Sequence, residues 1–309
     1  MTSEPHATHP LAPYAAFAGC CAIWGSTFLF ISMGNDTVPP LWAATLRLGL
    51  ASLLLVALTR LTGRSLPRGP ALYTAAGFGF LNFGFGFCLL YWGEKTVPSG
   101  LAAILYGTVP LSTALFARAA GLERIRALKI AGALVALAGV GMIFSGELRA
   151  RVSGLPIVAI FMAATVASAS GVVLKRGPHQ HPLGANAVGA MAGLLVCAAG
   201  SFLAREPHAI PHDPRAVLPI LYLTLAGSVG AFVLYVWLVN HWDVTRVSFV
   251  AVVVPVVAVL FGSAVRHERL TSAHWAGALL VFAGLALGIL SDRKRSTAAA
   301  PALAGARDA

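Results

Sequence analysis

Long apolar stretches separated by short polar interruptions run along nearly the whole sequence. Each stretch is about 17–25 residues long, the length at which an α-helix crosses the hydrocarbon core of a bilayer. The pattern therefore predicts an all-α integral membrane protein with ten transmembrane helices. They are predicted at residues 13–33, 40–60, 71–92, 97–118, 127–145, 155–174, 184–204, 216–238, 246–265 and 273–290.

The polar interruptions between these stretches are too short to form a separate soluble domain. Residues 1–12 contain no Lys or Arg, so the positive region that opens a signal peptide is missing. The first apolar stretch is therefore predicted to be a membrane span. The Ala-rich, basic segment 291–309 is predicted to be a disordered cytoplasmic tail.

Composition supports the membrane class independently of the pattern. The chain has 309 residues, of which 58% are hydrophobic and 11% are charged. A soluble domain carries about 45–50% apolar and about 25% charged residues. The sequence thus excludes an ordinary soluble enzyme or binding module.

The net charge of +11 raises the question of a nucleic-acid partner. The basic residues, however, are spread over the loops, and when the N-terminus is placed inside, the larger share of the 22 Lys and Arg falls on the inner side. Following the positive-inside rule, we expect a multi-pass protein of the cell inner (plasma) membrane with cytoplasmic N- and C-termini. No nucleic-acid partner is expected.

Neither the cysteines nor the histidines form a recognisable metal or disulfide pattern. All four cysteines lie within predicted spans, where they are interpreted as small apolar filler. The histidines lie mostly in loops without a further ligand set, and no phosphate-binding P-loop occurs. No metal and no cofactor are therefore expected.

One segment of the chain has a second copy 145 residues later. Residues 109–139 align with residues 254–284 without a gap, and the matches include a proline, a Glu-Arg pair and glycines. The repeat unit holds five spans, an odd number, so the two halves are predicted to enter the membrane in opposite orientations. Inverted repeats are typical of secondary transporters that alternate access around a midplane site.

These motifs resemble a known family. WGSTFLFIS at 24–32, VPPLWAATLR at 38–47 and the two copies ending in AGALVALAG and AGALLVFAG are similar to the EamA-like family of the drug/metabolite transporter superfamily. The resemblance implies two inverted five-helix repeats, at 13–145 and 155–290, around a central cavity. It also implies export of small metabolites, often amino acids or derivatives, and sometimes drugs.

Several residues match the family's characteristic positions, while the second half departs from the pattern. Residues 169–173 read ASGVV where the first half has WGSTF, and Ala192 occupies the position equivalent to Arg47. The function of Arg47 is thus expected in the first half only. The matching positions are Trp24, Gly25, Pro40, Arg47, Pro110, Pro255, Glu123 and Glu268.

Arg47 is the only Lys or Arg in the interior of a predicted span, since Arg60, Arg118, Lys129 and Arg246 lie at span ends. It lies seven residues past Pro40, or about 10 Å into the membrane at 1.5 Å per residue. A charge at this depth is a functional candidate by default. Three interpretations stay open: a structural or gating group paired with carbonyls or with Glu94, a direct contact to the solute, or a side chain that snorkels to the surface.

Further polar and aromatic residues are candidates for the substrate pathway. Span 3 reads GFGFLNFGFGFCLLYW at 77–92, where glycines leave room that aromatic rings line; packing of the bundle core is the alternative. Pro110 and Pro255 occupy equivalent mid-span positions and are predicted to kink their helices at a gate. The substrate-pathway candidates are Trp24, Thr27, Arg47, Asn82, Phe83, Tyr106 and Trp237.

The acidic residues limit how transport is coupled to an ion gradient. Glu123 and Glu268 are interpreted as structural, since they lie in short turns where they cap a helix or pair locally. Only Glu94 and Asp243, at the ends of spans 3 and 8, are close enough to the membrane interior to be coupling groups. Facilitated export is favoured, and proton antiport through these boundary groups stays open.

The sequence therefore predicts a secondary transporter, not an enzyme, that exports small metabolites by alternating access. The alternative is a polytopic membrane enzyme that acts on lipid or prenyl substrates, but no convergent set of carboxylates or histidines supports it. A sensor or structural subunit is a third class. The expected partners are a small-molecule solute and the lipid bilayer, with the protein a monomer or homodimer.

Overall fold

The computed structural model describes residues 11–146, 153–266 and 270–304. Within these residues the chain forms ten helical spans and no strand, which confirms the predicted all-α membrane fold. They are α1 (Ala12–Asn35), α2 (Pro40–Leu61), α3 (Pro70–Gly93), α4 (Ser99–Ala119), α5 (Ala127–Ile143), α6 (Gly154–Arg176), α7 (Pro182–Leu203), α8 (Pro214–His241), α9 (Val244–Ser248 and Val250–Arg266) and α10 (Ser272–Ala304).

Nine of these helices are long and apolar enough to cross a bilayer, within the part of the chain that the structure describes. The exception, α5, is apolar but has only 17 residues, close to the lower limit for a span. The connections that the structure describes in full fall where the sequence pattern placed them, because charged and proline-rich segments end those apolar runs.

Two spans contain a stretch of wider π-helix instead of regular α-helix. In α3 it covers Phe80–Gly86, and in α8 it covers Leu223–Ala231. The two stretches end at residues that the 145-residue repeat makes equivalent. Insertions of this kind are rare and frequently mark functional sites. The repeat is thus visible in the irregularities of the helices as well as in the sequence.

The spans α4 and α9 are each interrupted near their first third. In α4 the helix Ser99–Tyr106 ends before the helix Val109–Ala119 begins, and in α9 the helix breaks at Phe249. The two spans start at residues 99 and 244, which the repeat relates. Each half therefore has a broken fourth span, and the break in α9 comes about three residues earlier in the repeat than the break in α4.

The glycines of α5 and α10 bring these two helices into close backbone contact. A Cβ added to Gly139 would lie 2.6 Å from the carbonyl oxygen of Gly277, and one added to Gly132 would lie 2.5 Å from that of Gly284. Only glycine permits this approach. Because residue numbers rise along α5 as they fall along α10, the two helices pack antiparallel.

The helices α2 and α7 are a second antiparallel pair at equivalent positions of the two halves. Gly200 lies against Leu41 at the start of α2, whereas Gly49, further along α2, lies against Leu194. Each of these helices is therefore paired with its own counterpart from the other half. The contacts are those that two repeats of opposite orientation would make.

The backbone of α10 continues as helix to Ala304, past the start of the predicted tail at residue 291. The segment is rich in alanine, the residue with the highest helix propensity. The disordered, cytoplasmic character of the tail stays a prediction. The predicted structural role of Glu268 lies outside the described residues.

Candidate functional site

A cavity of about 140 Å³ lies between the two halves of the bundle. Residues from both halves line it, since α1 to α4 contribute from the first half and α6, α8 and α9 from the second. The wall is mainly apolar and aromatic, and a few polar side chains interrupt it. These polar side chains are Thr27, Arg47, Asn82, Tyr106, Thr113, Tyr235 and Ser248.

Arg47 carries the fixed charge at this cavity. Its side chain is only 2% exposed. Its Nε donates a hydrogen bond to Ser228 Oγ at 2.8 Å, and its Nη1 donates one to the Tyr91 hydroxyl at 3.1 Å. The guanidinium also lies over the ring of Phe87, with its Cζ 4.5 Å from the ring centroid. These contacts hold the group inside the bundle, not at a membrane surface.

The Arg47 guanidinium has neutral partners only, as far as the described residues show. The ion pairs in this part of the chain involve Lys129 instead, and the contacts of Arg47 are to hydroxyls and a ring. A guanidinium has five N–H donors, and the two hydrogen bonds leave others unused. The cavity therefore presents a positive charge that no protein carboxylate neutralises.

The two π-helical stretches contribute polar groups at this site. Ser228, the acceptor for Arg47, lies in the stretch of α8, while Asn82 lies in that of α3 and lines the cavity. No hydrogen-bond partner of the Asn82 amide is found among the described residues. A π-turn shifts the side chains that follow it around the helix, and here both stretches bring polar groups to the cavity region.

Aromatic rings from both halves form much of the remaining wall. Trp24 packs edge-on against Phe232, with ring centroids 4.9 Å apart, and lies 5.6 Å from Tyr235. On the other side Phe28 and Tyr106 are in edge contact at 5.8 Å. Such walls suit a solute with an apolar part, while the charged and amide groups would orient its polar end.

Comparison with known proteins now identifies the family. The sequence model described as the EamA-like transporter family matches residues 12–145 and, a second time, residues 154–290. The chain belongs to the EamA-like transporter family. This confirms the resemblance noted from the WGSTFLFIS and VPPLWAATLR motifs. Each match covers one of the two sequence repeats.

Curated relatives of this EamA-like transporter carry transporter names. "Uncharacterized inner membrane transporter YedA" of Escherichia coli (strain K12) is 34% identical over 281 residues, 90% of this chain and 87% of that protein. "Probable amino-acid metabolite efflux pump" of Salmonella typhimurium is 27% identical over 290 residues, 89% of this chain and 94% of that protein. The chain is thus a membrane transporter.

A solved crystal structure shows the same fold. It matches this transporter with a TM-score of 0.76 at 22% identity, covering 91% of this chain and 98% of that chain. The likeness extends over both repeats and confirms the arrangement of apolar helices. At this level of identity it describes the fold and carries no information about the solute.

The structure brings five of the seven predicted pathway residues of the EamA-like transporter to one cavity. Phe83 and Trp237 are not among the residues that line it. Phe83 packs behind the wall, 4.5 Å from the Phe232 ring, and Trp237 stacks on His241 at 3.9 Å. The five lining residues are Trp24, Thr27, Arg47, Asn82 and Tyr106.

The two symmetric prolines occupy different local structures. Pro110 lies near the start of the second helix of α4, just after the break, whereas Pro255 lies inside the helix Val250–Arg266. A proline has no N–H to donate to the carbonyl four residues earlier. Those carbonyls belong to Tyr106 and Ala251, and both residues line the cavity.

The predicted coupling residue Glu94 follows α3 immediately and is 6% exposed. Neither of its carboxylate oxygens has a hydrogen-bond partner within the described chain. Burial raises the pKa of Glu94 well above its ordinary value. Leu90, one helical turn earlier on the same face, lines the cavity.

Asp243 and Glu123, by contrast, belong to one ionic cluster away from the cavity. Lys129 Nζ lies 3.4 Å from Glu123 Oε2 and 3.7 Å from Asp243 Oδ2. Glu123 Oε1 also accepts a hydrogen bond from the backbone N–H of Thr245 at 3.1 Å. Glu123 therefore connects the loop between α4 and α5 to the start of α9 in the other half.

Sequence reasoning did not find the residues that hold Arg47 in place. Ser228 and Tyr91 are ordinary polar residues within apolar spans, and no motif marks them. Phe87 belongs to the Gly–Phe alternation of span 3, which predicted a lined cavity but not which ring faces the arginine. The common signal was a polar side chain inside a span, which the bilayer makes costly without a partner.

No group of three or more metal-binding side chains occurs among the described residues. His208 contacts the ring of Trp42 and lies 3.2 Å from Ser201 Oγ. Both contacts are typical of packing. The histidines described here therefore offer no site for an ion.

Proposed function

We propose that this protein is a secondary exporter of small organic molecules that carry a carboxylate, with amino acids or their derivatives as the main class. The observation that supports this most directly is the Arg47 guanidinium at the cavity, which has hydroxyl and ring partners but no acidic one. Guanidinium groups bind carboxylates through paired hydrogen bonds. A solute carboxylate would supply the missing negative charge.

The volume of the cavity fits a small amino acid or a derivative of similar size. Its volume of about 140 Å³ is close to that of the engineered cavity of about 150 Å³ that binds benzene. The aromatic wall formed by Trp24, Phe232 and Tyr235 suits an apolar side chain. The amide of Asn82 lies free on the same wall to hydrogen-bond a polar group.

Alternating access is supported by the arrangement of the two halves. Equivalent helices pack antiparallel in two places, α2 against α7 and α5 against α10. The cavity lies between the halves, so rocking one half against the other would expose it to each side in turn. Pro110 and Pro255, beside the wall, provide the kinks at which α4 and α9 would bend.

The substrate class and the direction of transport draw support from one relative. The name "Probable amino-acid metabolite efflux pump" describes export of the class of solute that the cavity suits. The distribution of Lys and Arg over the loops supports cytoplasmic N- and C-termini. In that orientation the protein would release its solute on the outer face of the inner membrane.

The test is transport by the purified protein in liposomes loaded with radiolabelled common amino acids. We expect protein-dependent exchange of at least one of them, and loss of that exchange in the Arg47→Gln variant. Arg60→Gln is the matched control, because Arg60 ends the same helix but is exposed. The proposal fails if no amino acid or derivative moves, or if Arg47→Gln transports at the wild-type rate.

A further inference from the structure

Glu94 is the one buried acidic side chain among the described residues, and it differs from the partly buried Glu123 and Glu206 in having no partner. Both of its carboxylate oxygens are shielded from solvent and accept no hydrogen bond. Glu123 is paired with Lys129, and Glu206 accepts hydrogen bonds from the backbone N–H groups of Leu41 and Trp42. A carboxylate with a purely structural role would have an ion pair or N–H donors, as Glu123 and Glu206 have.

The position of Glu94 connects it to the cavity. Leu90 and Phe87 lie four and seven residues before it, on the same face of α3, and both line the cavity. Tyr91 lies three residues before Glu94 on the same side of α3. Tyr106 lines the cavity, and Tyr91 bonds Arg47. The carboxyl thus lies one helical turn beyond the wall.

Among the described residues, no positively charged side chain pairs with Glu94. From α1, Asn35 donates to the carbonyl of Tyr91 instead. From α2, Arg47 donates to the Tyr91 hydroxyl and not to the Glu94 carboxylate. From α6, the apolar Ile160 packs against Gly93. The adjoining Lys95 is exposed and makes no ion pair within the described residues.

An ionised carboxylate in this setting is strongly disfavoured, because burying a charge without a partner costs far more than burying a neutral acid. The conformation described here thus requires a neutral Glu94. A conformation that admits water to this end of α3 would leave the same group free to ionise. The protonation of Glu94 would then be linked to the conformation of the transporter.

We propose that Glu94 is a proton-binding site of the cavity, through which this transporter exchanges protons for solute. A proton from the outer solution binds one carboxylate oxygen after the solute leaves, and it neutralises Glu94 while the empty cavity closes. The proton passes to the inner solution when the cavity opens there. The positive group of a zwitterionic solute then neutralises Glu94 for the outward step.

This coupling rests on the proposed export function, but the proton site itself is tested without any solute. Infrared difference spectra of the purified protein across pH would record the band of the protonated carboxyl. We expect it to titrate well above the ordinary glutamic acid value of about 4.3. It should vanish in Glu94→Gln and persist in Asp36→Asn, the control at an exposed acid after α1.

Coupling is tested in proteoliposomes with a radiolabelled mixture of the common amino acids, at an internal pH one unit below the external pH. One-for-one exchange of a proton for a net-neutral amino acid moves one charge, so the membrane potential is held at zero with potassium and valinomycin. Under that clamp the exchange would accumulate label up to about tenfold, the factor equivalent to one pH unit. We expect no accumulation in Glu94→Gln, and accumulation in Glu94→Asp and Asp36→Asn.

The outcomes separate the two proposals. An infrared band that titrates near the ordinary value, or that remains in Glu94→Gln, overturns the proton site. Accumulation that ignores the pH gradient, or that Glu94→Gln retains, overturns the coupling. If no label enters at all, the export proposal falls and the coupling falls with it, while the infrared titration still decides whether Glu94 binds a proton.

Discussion

The hydrogen bond from Arg47 Nε to Ser228 Oγ, 2.8 Å long, connects the two halves of the transporter at the cavity. Arg47 belongs to α2 of the first half and Ser228 to the π-helical stretch of α8 in the second. Any movement of one half against the other would change this contact. The group that we propose binds the solute carboxylate is therefore held across the interface that would move.

The charge of Arg47 is not sufficient for its proposed function. Arg47→Lys keeps the charge but loses the planar fork of donors that contacts Ser228 and Tyr91. We expect the apparent KM for the exchanged amino acid to rise about tenfold, equivalent to about 1.4 kcal/mol. Initial rates of uptake into proteoliposomes measure this. Arg60→Lys serves as the control, and an unchanged KM in Arg47→Lys would contradict the geometry proposed for binding.

The Ser228 hydroxyl is expected to act by positioning Arg47. Hydrogen bonds to charged groups contribute about 1.5–3 kcal/mol, so Ser228→Ala should raise the apparent KM about tenfold or more. The maximal rate should change less. Ser52→Ala is the control, since Ser52 is buried in α2 and bonds only to the carbonyl of Gly49. Equal effects of the two variants would show that Ser228 does not position the arginine.

Much of the fold follows from the sequence because the bilayer imposes a simple rule. Apolar runs of a fixed length become helices, and the shift of 145 residues identifies which helices are equivalent. The π-helical stretches at Phe80–Gly86 and Leu223–Ala231 were not predicted, since they depend on packing between helices.

The candidate site was predictable to the extent that it consists of polar groups inside spans. Arg47 and Asn82 stood out for this reason. Phe83 and Trp237 were chosen by residue type, but the face of the helix decides what lines a cavity, and one π-turn rotates that face. The missing partner of Glu94 had no sequence signal, because it is a property of what surrounds the carboxyl.

The close contact of α5 with α10 leads to a prediction about stability. In Gly139→Ala the new methyl would lie 2.6 Å from the carbonyl oxygen of Gly277, so the helices must separate. Overpacking of this kind costs about 1–3 kcal/mol. In Gly141→Ala the methyl meets no atom within 4 Å, and alanine should favour the helix by up to about 1 kcal/mol. Unfolding titrations in detergent micelles compare the two, and a similar loss in both would contradict the packing described.

The bond between Glu123 and the start of α9 leads to a second stability prediction. In Glu123→Ala the Thr245 N–H loses its acceptor, and the Lys129 ammonium loses one carboxylate partner while it keeps Asp243. We expect the free energy of unfolding to fall by about 1–3 kcal/mol, the cost of leaving a buried donor unpaired. The neighbouring Arg124 is exposed, so Arg124→Ala should change it by less than about 0.5 kcal/mol. Loss of stability in Arg124→Ala but not in Glu123→Ala would overturn this assignment.

The pH dependence of stability depends on Glu94, and its sign follows from burial. The pKa of Glu94 is raised in the folded protein, so the native state holds its proton over a pH range in which the unfolded state has lost it. The stability that neutral Glu94 provides is complete below the ordinary value of about 4.3. It is lost as pH rises from there through the raised value, at about 1.4 kcal/mol for each pH unit.

Glu94→Gln removes this dependence, because glutamine is neutral at every pH. Near pH 4 the variant and the wild type should differ little, and the advantage of the variant should grow with pH until native Glu94 ionises. Asp36→Asn, at an exposed position, should follow the wild-type curve throughout. Melting temperatures in detergent from pH 4 to pH 9 measure all three. If the melting temperature of the wild type instead rose relative to that of Glu94→Gln as pH increases, Glu94 would be ionised and partnered in the folded protein. That result would contradict its described surroundings.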